Sequence, residues 1–520
     1  MTDFSVILAG FSDALTLTNM LYVIAGVIVG QFVGAMPGIG PVMTMAIAVP
    51  FTFVLNPLPA IGLLIGINKG GLVGGAIPAI LINTPGTPDA AATAIDGHPL
   101  SKKGKPLKAL KMALYSSVTG DTFSDIVLIT VAAPLAVIAL KMGPVEVFAL
   151  MVFAFSLISG LIGASVTRGI IATALGLLAA TVGLDPEHST PRFLFGFYDL
   201  YDGFPIAAVA IGTLAFAEII RRLISMTGEI RPAVNFPKDQ PREDKRISFK
   251  EYWSCKFVLL RGALIGTGIG AVPGMGSTAA AFMSYASTKQ SSAQPEKFGK
   301  GDIRGIAATE SANSSVAGAD MMPLLTLGLP GSASSAMLIG AFLIQGIQPG
   351  PLLFESQGQL VYGLFGAMLM ANLCNFIIGL FGLRIWAKLI TAPESLIFSA
   401  AMVFCVAGVY LATGGIFGVY IMLIFALIGL VMTALNYPVV VFIIAFFLAP
   451  RFELALGQSA AILRGDPLRL VNHPVALVLF GMSVFAVYWL NIRKKNNKPK
   501  QPKESKSEPE FNENLQPEEA

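Results

Sequence analysis

One apolar stretch, broken repeatedly along its length, constrains this chain more than any other feature. Residues 257–351 are apolar enough to lie in a membrane, yet Pro-Gly pairs, small residues and polar side chains interrupt them. Backbone groups freed by Pro and Gly need partners, so such breaks persist at membrane depth only where they pack against protein or line a wet cavity. The stretch therefore predicts a binding site inside a membrane protein.

The broken stretch occurs twice in the sequence. GQFVGAMPGIG at 30–40 matches GTGIGAVPGMG at 266–276, with an offset of 236 residues. A second block, 68–86, matches 313–331 with an offset of 245 residues and pairs Asn68 with Asn313. Two halves that carry the same pair of broken elements indicate an internal duplication, which is common among secondary transporters.

Composition places the chain among membrane proteins. Of its 520 residues, 54% are hydrophobic and only 13% are charged, and apolar runs long enough for spans recur from end to end. We expect an all-α polytopic membrane protein with about 12–14 transmembrane segments in two inverted-topology repeats, with discontinuous or re-entrant helices at the Pro-Gly motifs. The formal net charge is +4. The basic residues lie beside apolar spans and form no nucleic-acid-binding patch.

The polar segments predict the domain boundaries. Residues 1–220 form a first membrane repeat, 221–256 a cytoplasmic linker, and 257–491 a second membrane repeat. The tail, 492–520, has almost no large apolar residues and is expected to be disordered.

Positive charge predicts opposite orientations for the two copies. In the first copy the loop after the broken blocks is rich in lysine, whereas in the second the basic loop lies between the blocks. Since positive residues collect on the cytoplasmic side, we expect the amino terminus outside and the linker inside. The 13-residue apolar run 437–449 is short for a span and is expected to be re-entrant or interfacial. A full crossing there would place the carboxyl terminus inside, as Arg493 and its basic neighbours suggest, and the sequence leaves this open.

The helix starts at the breaks are the candidate anion sites. A helix that begins inside the membrane presents unpaired N–H groups and a partial positive charge, which suit a carboxylate, and Pro is tolerated in its first turn. Small hydroxyl side chains beside the breaks can add donors. The predicted substrate-binding residues are Pro37, Gly38, Gly40, Asn68, Lys69, Thr84, Pro85, Gly86, Thr87, Pro273, Gly274, Gly276, Ser277, Thr278, Asn313, Ser314, Pro330, Gly331 and Ser332.

Ionisable residues within the duplicated blocks are the candidates for ion coupling, because charges at membrane depth are costly and usually functional. They are Asp89, Glu310 and Asp320, which would bind Na⁺ or carry a proton. Lys69 has Ser314 as its counterpart and would meet an anionic group of the substrate. The alternative is a buried lysine–carboxylate pair with a structural role. Asp121, Asp125 and Glu146 are expected at span ends, at the membrane interface.

Several function classes have no support. The GxxxG spacings at 30–34 and 266–270 favour helix packing over binding. No P-loop motif is present, and Cys255, Cys374 and Cys405 are too scattered to hold zinc. No catalytic arrangement can be built on the three isolated histidines, so we expect no enzyme activity, no metal and no cofactor beyond a coupling ion.

Long motifs in this chain resemble one family. GAMPGIGPVMTMAIAVPFTF, NKGGLVGGAIPAILINTPGTPDAAATAIDGHPLSKKGKPLKAL, GLDPEHSTPRFLFG and ATESANSSVAGADMMPLLTLGLPGSASSAMLIGAFLIQGIQPGP closely resemble the large membrane subunit of the tripartite tricarboxylate transporters, the TctA type. The resemblance covers the chain to about residue 490. It implies a multi-pass secondary transporter of the bacterial inner membrane, which works with a small membrane subunit and a periplasmic solute-binding protein. It also implies uptake of citrate or related carboxylates driven by an ion gradient.

Two other functions remain open from the sequence. A membrane sensor or scaffold would bind a loaded periplasmic protein without net transport, and a passive organic-anion channel would conduct without ion coupling. The broken helices disfavour a scaffold, because a scaffold needs no site at the midplane.

Overall fold

The computed structural model describes residues 4–162, 165–225, 241–389 and 394–496, and these residues form an all-α polytopic bundle. Outer helices expose large apolar side chains, among them Leu427, 64% exposed, and Phe381, 79% exposed. Such a surface is unfavourable in water and suits a lipid environment. The expected all-α membrane fold is confirmed.

The first half consists mainly of helices, with one short antiparallel pair of strands. The strands β1 (Gly183–Leu184) and β2 (Pro191–Arg192) pair Gly183 with Arg192. Short 3₁₀ turns cover Val49–Val54 and Tyr198–Leu200, and a π-helical turn, Ile211–Phe216, joins the last two helices into one. The α-helices are α1 (Phe4–Ala14), α2 (Leu17–Gly34), α3 (Pro41–Ala48), α4 (Pro57–Ile82), α5 (Ala90–Lys102), α6 (Pro106–Ala139), α7 (Pro144–Ile162), α8 (Val166–Ala179), α9 (Ile206–Ala210) and α10 (Ala217–Ser225).

The second half continues the bundle, with short 3₁₀ turns at Pro295–Lys297 and Pro467–Asn472. Its α-helices are α11 (Arg242–Lys245), α12 (Phe249–Ser254), α13 (Lys256–Gly270), α14 (Gly276–Gln290), α15 (Ile303–Ala319), α16 (Met321–Leu327), α17 (Ala333–Ile344), α18 (Leu353–Ser356), α19 (Gly358–Leu389), α20 (Glu394–Thr413), α21 (Ile416–Ala434), α22 (Val439–Leu463) and α23 (Pro474–Asn496).

Six helices in the described part of the chain are long and apolar enough to cross a membrane: α2, α4, α6, α19, α21 and α22. Shorter apolar helices, such as α7 and α23, accompany them. The helix α22 differs from the sequence expectation, since it runs for 25 residues and does not stop after 449. Arg451 and Glu453 end the apolar run, but they do not end the helix, because a helix tolerates polar residues wherever its packing provides partners.

Two helices extend across predicted segment boundaries, and the division into two repeats, a linker and a tail stays a prediction. The helix α10 continues to Ser225, five residues into the segment predicted as the linker, because Glu218 pairs with Arg221 and Arg222 one turn later. The helix α23 continues to Asn496, five residues into the predicted tail. The rest of the tail and residues 226–240 lie outside the described residues.

The duplicated breaks share their backbone conformation. Gly38 and Gly274, 236 residues apart, have φ values of +97° and +88°. Asn83 and Gly328, 245 residues apart, both end a helix in the left-handed region, with φ values of 55° and 71°. A β-carbon is disfavoured at such values, so Gly and Asn are the residues that fit. The repeat in sequence therefore has a counterpart in backbone geometry.

Glycines bring the broken helices into direct backbone contact. A β-carbon at Gly30 on α2 would lie 2.4 Å from the carbonyl oxygen of Ile67 on α4. One at Gly266 on α13 would lie 2.2 Å from that of Ala312 on α15. These contacts are equivalent in the two copies, and they confirm that the GxxxG spacings serve helix packing.

Candidate substrate cavity between the broken helices

A cavity of about 840 Å³ lies where all four helix breaks meet, and we call it the central cavity. It is lined by Gly38 and Gly40 between α2 and α3, and by the segment 85–89 between α4 and α5. The predicted residues in its lining are Gly38, Gly40, Asn68, Pro85, Gly86, Thr87, Asp89, Gly274, Gly276, Ser277, Thr278, Asp320 and Ser332.

Each break delivers the start of a helix to this cavity. The residues just before α3 and α17 are Gly40 and Ser332, and Asp89 precedes α5. The helix α14 begins at Gly276. All four residues line the cavity, so the partial positive charges of four helix starts are directed at one volume.

The other predicted residues lie outside the lining. Gly331, for example, packs behind it, where a β-carbon would lie 2.7 Å from that of Asp320. The remaining ones are Pro37, Lys69, Thr84, Pro273, Asn313, Ser314, Glu310 and Pro330.

Two hydroxyl–carboxylate contacts stand at the tips of α5 and α17. The Thr87 hydroxyl donates to Asp89 Oδ2 at 3.2 Å, and the Ser332 hydroxyl donates to Asp320 Oδ2 at 2.5 Å. Thr87 and Ser332 are equivalent positions, 245 residues apart, but their carboxylate partners are not equivalent. The hydroxyl groups in the cavity lining are thus duplicated between the two halves of the chain, whereas the carboxylates are not.

Buried oxygens beside these carboxylates make no hydrogen bond to any described residue. They include Asp320 Oδ1 and Asn68 Oδ1, both in the lining, and Asn313 Oδ1 and Ser314 Oγ just behind it. Unsatisfied buried polar groups are rare and each needs an explanation. A cation, a protonated carboxyl group or a bound ligand would satisfy them.

Lys69 does not face the central cavity. Its Nζ lies 2.6 Å from Asp121 Oδ1, 2.7 Å from Asp125 Oδ2 and 3.0 Å from Asn372 Oδ1, so all three ammonium donors are used. Lys69 is 2% exposed. We therefore reassign it from substrate contact to a buried ion network that joins α4, α6 and α19.

The expectation that Asp121 and Asp125 lie at the membrane interface is wrong. Both are buried, 3% and 0% exposed, in the middle of the 34-residue helix α6. The ammonium group of Lys69, 52 and 56 residues away, compensates their buried charge, and the Asn372 amide adds a hydrogen bond to Asp125 Oδ2 at 2.8 Å.

Glu310 lies away from the cavity, in a buried contact between three helices. Thr93 Oγ1 donates to its Oε1 at 2.5 Å and Ser117 Oγ donates to its Oε2 at 2.8 Å. The side chain is fully buried and links α5, α6 and α15. Both carboxylate oxygens of Glu310 thus have partners, whereas Asp320 has a partner only at Oδ2.

Sequence reasoning missed three charged residues on α10 that line the central cavity: Glu218, Arg221 and Arg222. Glu218 accepts from Arg221 Nε at 2.7 Å and from Arg222 Nε at 2.9 Å. The guanidinium of Arg222 packs on Gly38, where a β-carbon would lie 2.9 Å from Arg222 Cζ. Their i, i+3, i+4 spacing at the end of an apolar helix indicates ion pairs on one helix face. This signal was overlooked because residues from 221 onward were assigned to the linker.

The fold and the cavity together define a multi-pass membrane transport protein, in which half-helices end at a polar site inside the bundle. The chain belongs to the tripartite tricarboxylate transporter TctA family, whose sequence profile matches residues 20–444. The word tripartite in the family's description implies partner subunits. Membership favours a transporter over an enzyme.

Two proteins of Agrobacterium vitis are similar to this chain. An uncharacterized 52.8 kDa protein in the TAR-I ttuC′ 3′ region is 35% identical over 502 residues, which cover 94% of this chain and 97% of that protein. An uncharacterized protein in the TAR-II ttuC′ 3′ region is 35% identical over 222 residues, 43% of this chain and 92% of that protein. No solved structure matches the chain.

Proposed function

We propose that this protein is the large membrane subunit of a secondary transporter that imports citrate-like tricarboxylates or related organic carboxylates across the bacterial inner membrane. A periplasmic solute-binding protein delivers the substrate, a small membrane subunit completes the complex, and an Na⁺ or proton gradient drives uptake. The convergence of four helix starts on one cavity is the observation that carries this proposal.

Anion binding is supported by the charges around the central cavity. Helix starts stabilise negative charge within their first turn, and Arg221 and Arg222 add two guanidinium groups. A guanidinium can hold a carboxylate through two parallel hydrogen bonds. Glu218 neutralises part of this charge, so an incoming carboxylate would exchange with Glu218 for the guanidinium donors.

Ion coupling is supported by the carboxylates that share the lining. Asp89 and Asp320 are 4% and 1% exposed, and a bound anion beside them would be repelled while both are ionised. A proton or Na⁺ on these groups would remove the repulsion, and the unsatisfied oxygens of Asn68 and Asp320 suit such a cation. Substrate and cation would therefore bind together, which is the thermodynamic requirement of symport.

The test is uptake into proteoliposomes that hold this chain and its small subunit, with loaded binding protein outside and Na⁺ or proton gradients imposed separately. Labelled citrate and a panel of di- and monocarboxylates are the substrates. Accumulation above equilibrium that needs the binding protein and one gradient supports the proposal. Downhill flux alone would favour a channel, and no flux with any anion in folded protein would favour a scaffold.

A further inference from the structure

A second cavity, of about 360 Å³, lies beyond the central one, and we call it the Arg451 cavity. Its walls combine apolar side chains from α17 and α22 with polar groups from the loops before α9 and after α17. The lining residues that matter here are Tyr201, Asp202, Gly328, Gln348, Pro349 and Arg451. Its volume falls within the range of small-molecule sites.

The two cavities lie at different depths along one helix. Ile206, at the start of the continuous helix α9–α10, lines the Arg451 cavity, whereas Arg221 and Arg222 near its end line the central cavity. Fifteen residues separate Ile206 from Arg221, which is about 22 Å along a helix. Since the linker after α10 is expected in the cytoplasm, the Arg451 cavity would face the periplasm.

The Arg451 guanidinium has no carboxylate partner among the described residues. Its Nη1 donates to the carbonyl oxygen of Pro349 at 2.8 Å, and no carboxylate lies within 4 Å. Glu453, two residues along, is already held by Arg192, at 2.5 and 3.0 Å. Asp202 lines the same cavity and is exposed to solvent, but it makes no ion pair with Arg451.

Glycines allow this guanidinium to sit against the backbone. A β-carbon at Gly328, whose φ is +71°, would lie 1.9 Å from Arg451 Nη1, and one at Gly350 would lie 3.2 Å from Nη2. A partly buried cation without a counter-ion is costly in apolar surroundings. A guanidinium offers five N–H donors in a fork that fits a carboxylate, so an anion is the group that would relieve this cost.

One short segment separates the two cavities. Gly328 lines the Arg451 cavity, and Ser332, four residues on, lines the central cavity. The segment between them is the break between α16 and α17, which contains no helical turn. An anion held at Arg451 is thus one helix break away from the helix starts.

We propose that Arg451 forms a second carboxylate-binding site, on the periplasmic side, where the organic acid binds before it passes the Gly328–Ser332 break. This inference rests on the proposed import function. It assigns the first contact to the Arg451 guanidinium, with Tyr201 and Gln348 as further polar groups, and leaves the central cavity as the coupled site.

Chemical modification of the complete transporter complex tests the site without any substitution. Phenylglyoxal attacks accessible guanidinium groups, and peptide mass spectrometry would report the modified fraction at Arg451 and at Arg192 separately. Citrate or succinate is expected to protect Arg451 at least threefold while Arg192, held by Glu453, is unaffected. Equal protection by sulfate at matched ionic strength, or none by any carboxylate in the panel, would overturn the assignment.

Substitution tests the role in uptake. R451Q is expected to raise the half-saturating concentration of loaded binding protein about tenfold, because it removes a charge-assisted hydrogen bond, and R451K should recover part of the loss. R469Q, at an exposed arginine in the 3₁₀ turn after α22, is the control. Wild-type uptake by folded R451Q would contradict the proposal. If the wild-type complex transports nothing, the import function fails, and the protection experiment still decides whether Arg451 binds carboxylates.

Discussion

Asn83 and Gly328 end equivalent helices in the same left-handed conformation, 245 residues apart in the chain. The residues that follow them repeat the same hydrogen bond: the Thr84 N–H donates to Pro78 O at 3.3 Å and the Leu329 N–H donates to Pro323 O at 3.0 Å. This turn lets the chain reverse and bring the next helix start back to the cavity. The same turn therefore occurs in both halves of the chain, once on each side of the central cavity.

The glycine contacts between α13 and α15 predict a position-specific loss of stability. Gly266→Ala places a methyl group 2.2 Å from the Ala312 carbonyl oxygen, and overpacking of this kind costs roughly 1–3 kcal/mol. Gly268→Ala, two residues away with nothing within 4 Å of the new methyl group, should be neutral or slightly stabilising. Thermal unfolding of the purified protein in detergent measures both. Equal midpoints for the two variants would contradict the packing role.

The Lys69 network predicts a loss of stability, not of substrate affinity. Lys69→Met leaves the carboxylates of Asp121 and Asp125 buried without their cation, which costs about 3–5 kcal/mol. Combining it with Asp121→Asn and Asp125→Asn removes the uncompensated charge and should recover most of the folded yield. Size-exclusion chromatography and thermal unfolding are the measurements. A stable Lys69→Met protein that has lost only substrate affinity would return Lys69 to the binding site.

Asp320 is predicted to couple the cation to transport. Asp320→Asn keeps the size of the side chain and removes its charge, so gradient-driven accumulation should be lost while exchange of internal for external substrate continues. Glu296→Gln, an exposed carboxylate of the basic loop, is the control and should accumulate substrate normally. Accumulation by Asp320→Asn at the wild-type level would show that coupling lies elsewhere, with Asp89 as the next residue to test.

Arg222 is predicted to bind a substrate carboxylate at the mouth of the central cavity. Arg222→Gln should raise the half-saturating substrate concentration about tenfold, since charge-assisted hydrogen bonds contribute roughly 1.5–3 kcal/mol. The effect should be larger for tricarboxylates than for monocarboxylates, because only the former have a second and third carboxylate to place. Arg384→Gln, an exposed arginine on α19, serves as the control. An equal change for both substrate classes would assign Arg222 a structural role.

The sequence by itself determined the fold class, the four breaks and their duplication. These follow from local properties, since Pro lacks an N–H, Gly tolerates positive φ, and long apolar runs cannot stay in water. The pairing of Gly38 with Gly274 and of Thr87 with Ser332 could be read from offsets alone, and all four residues line the central cavity.

Only the tertiary structure decided which charged groups meet. Lys69 lies in the same duplicated block as Asn68, yet the packing of α4 against α6 turns Lys69 towards Asp121 and Asp125, while Asn68 lines the cavity. Arg222 reaches Gly38 from the far end of the first half, and Arg451 lies without a carboxylate beside Gly328. Such contacts depend on how each helix is rotated and how it packs against its neighbours, and no local pattern in a single sequence specifies that rotation.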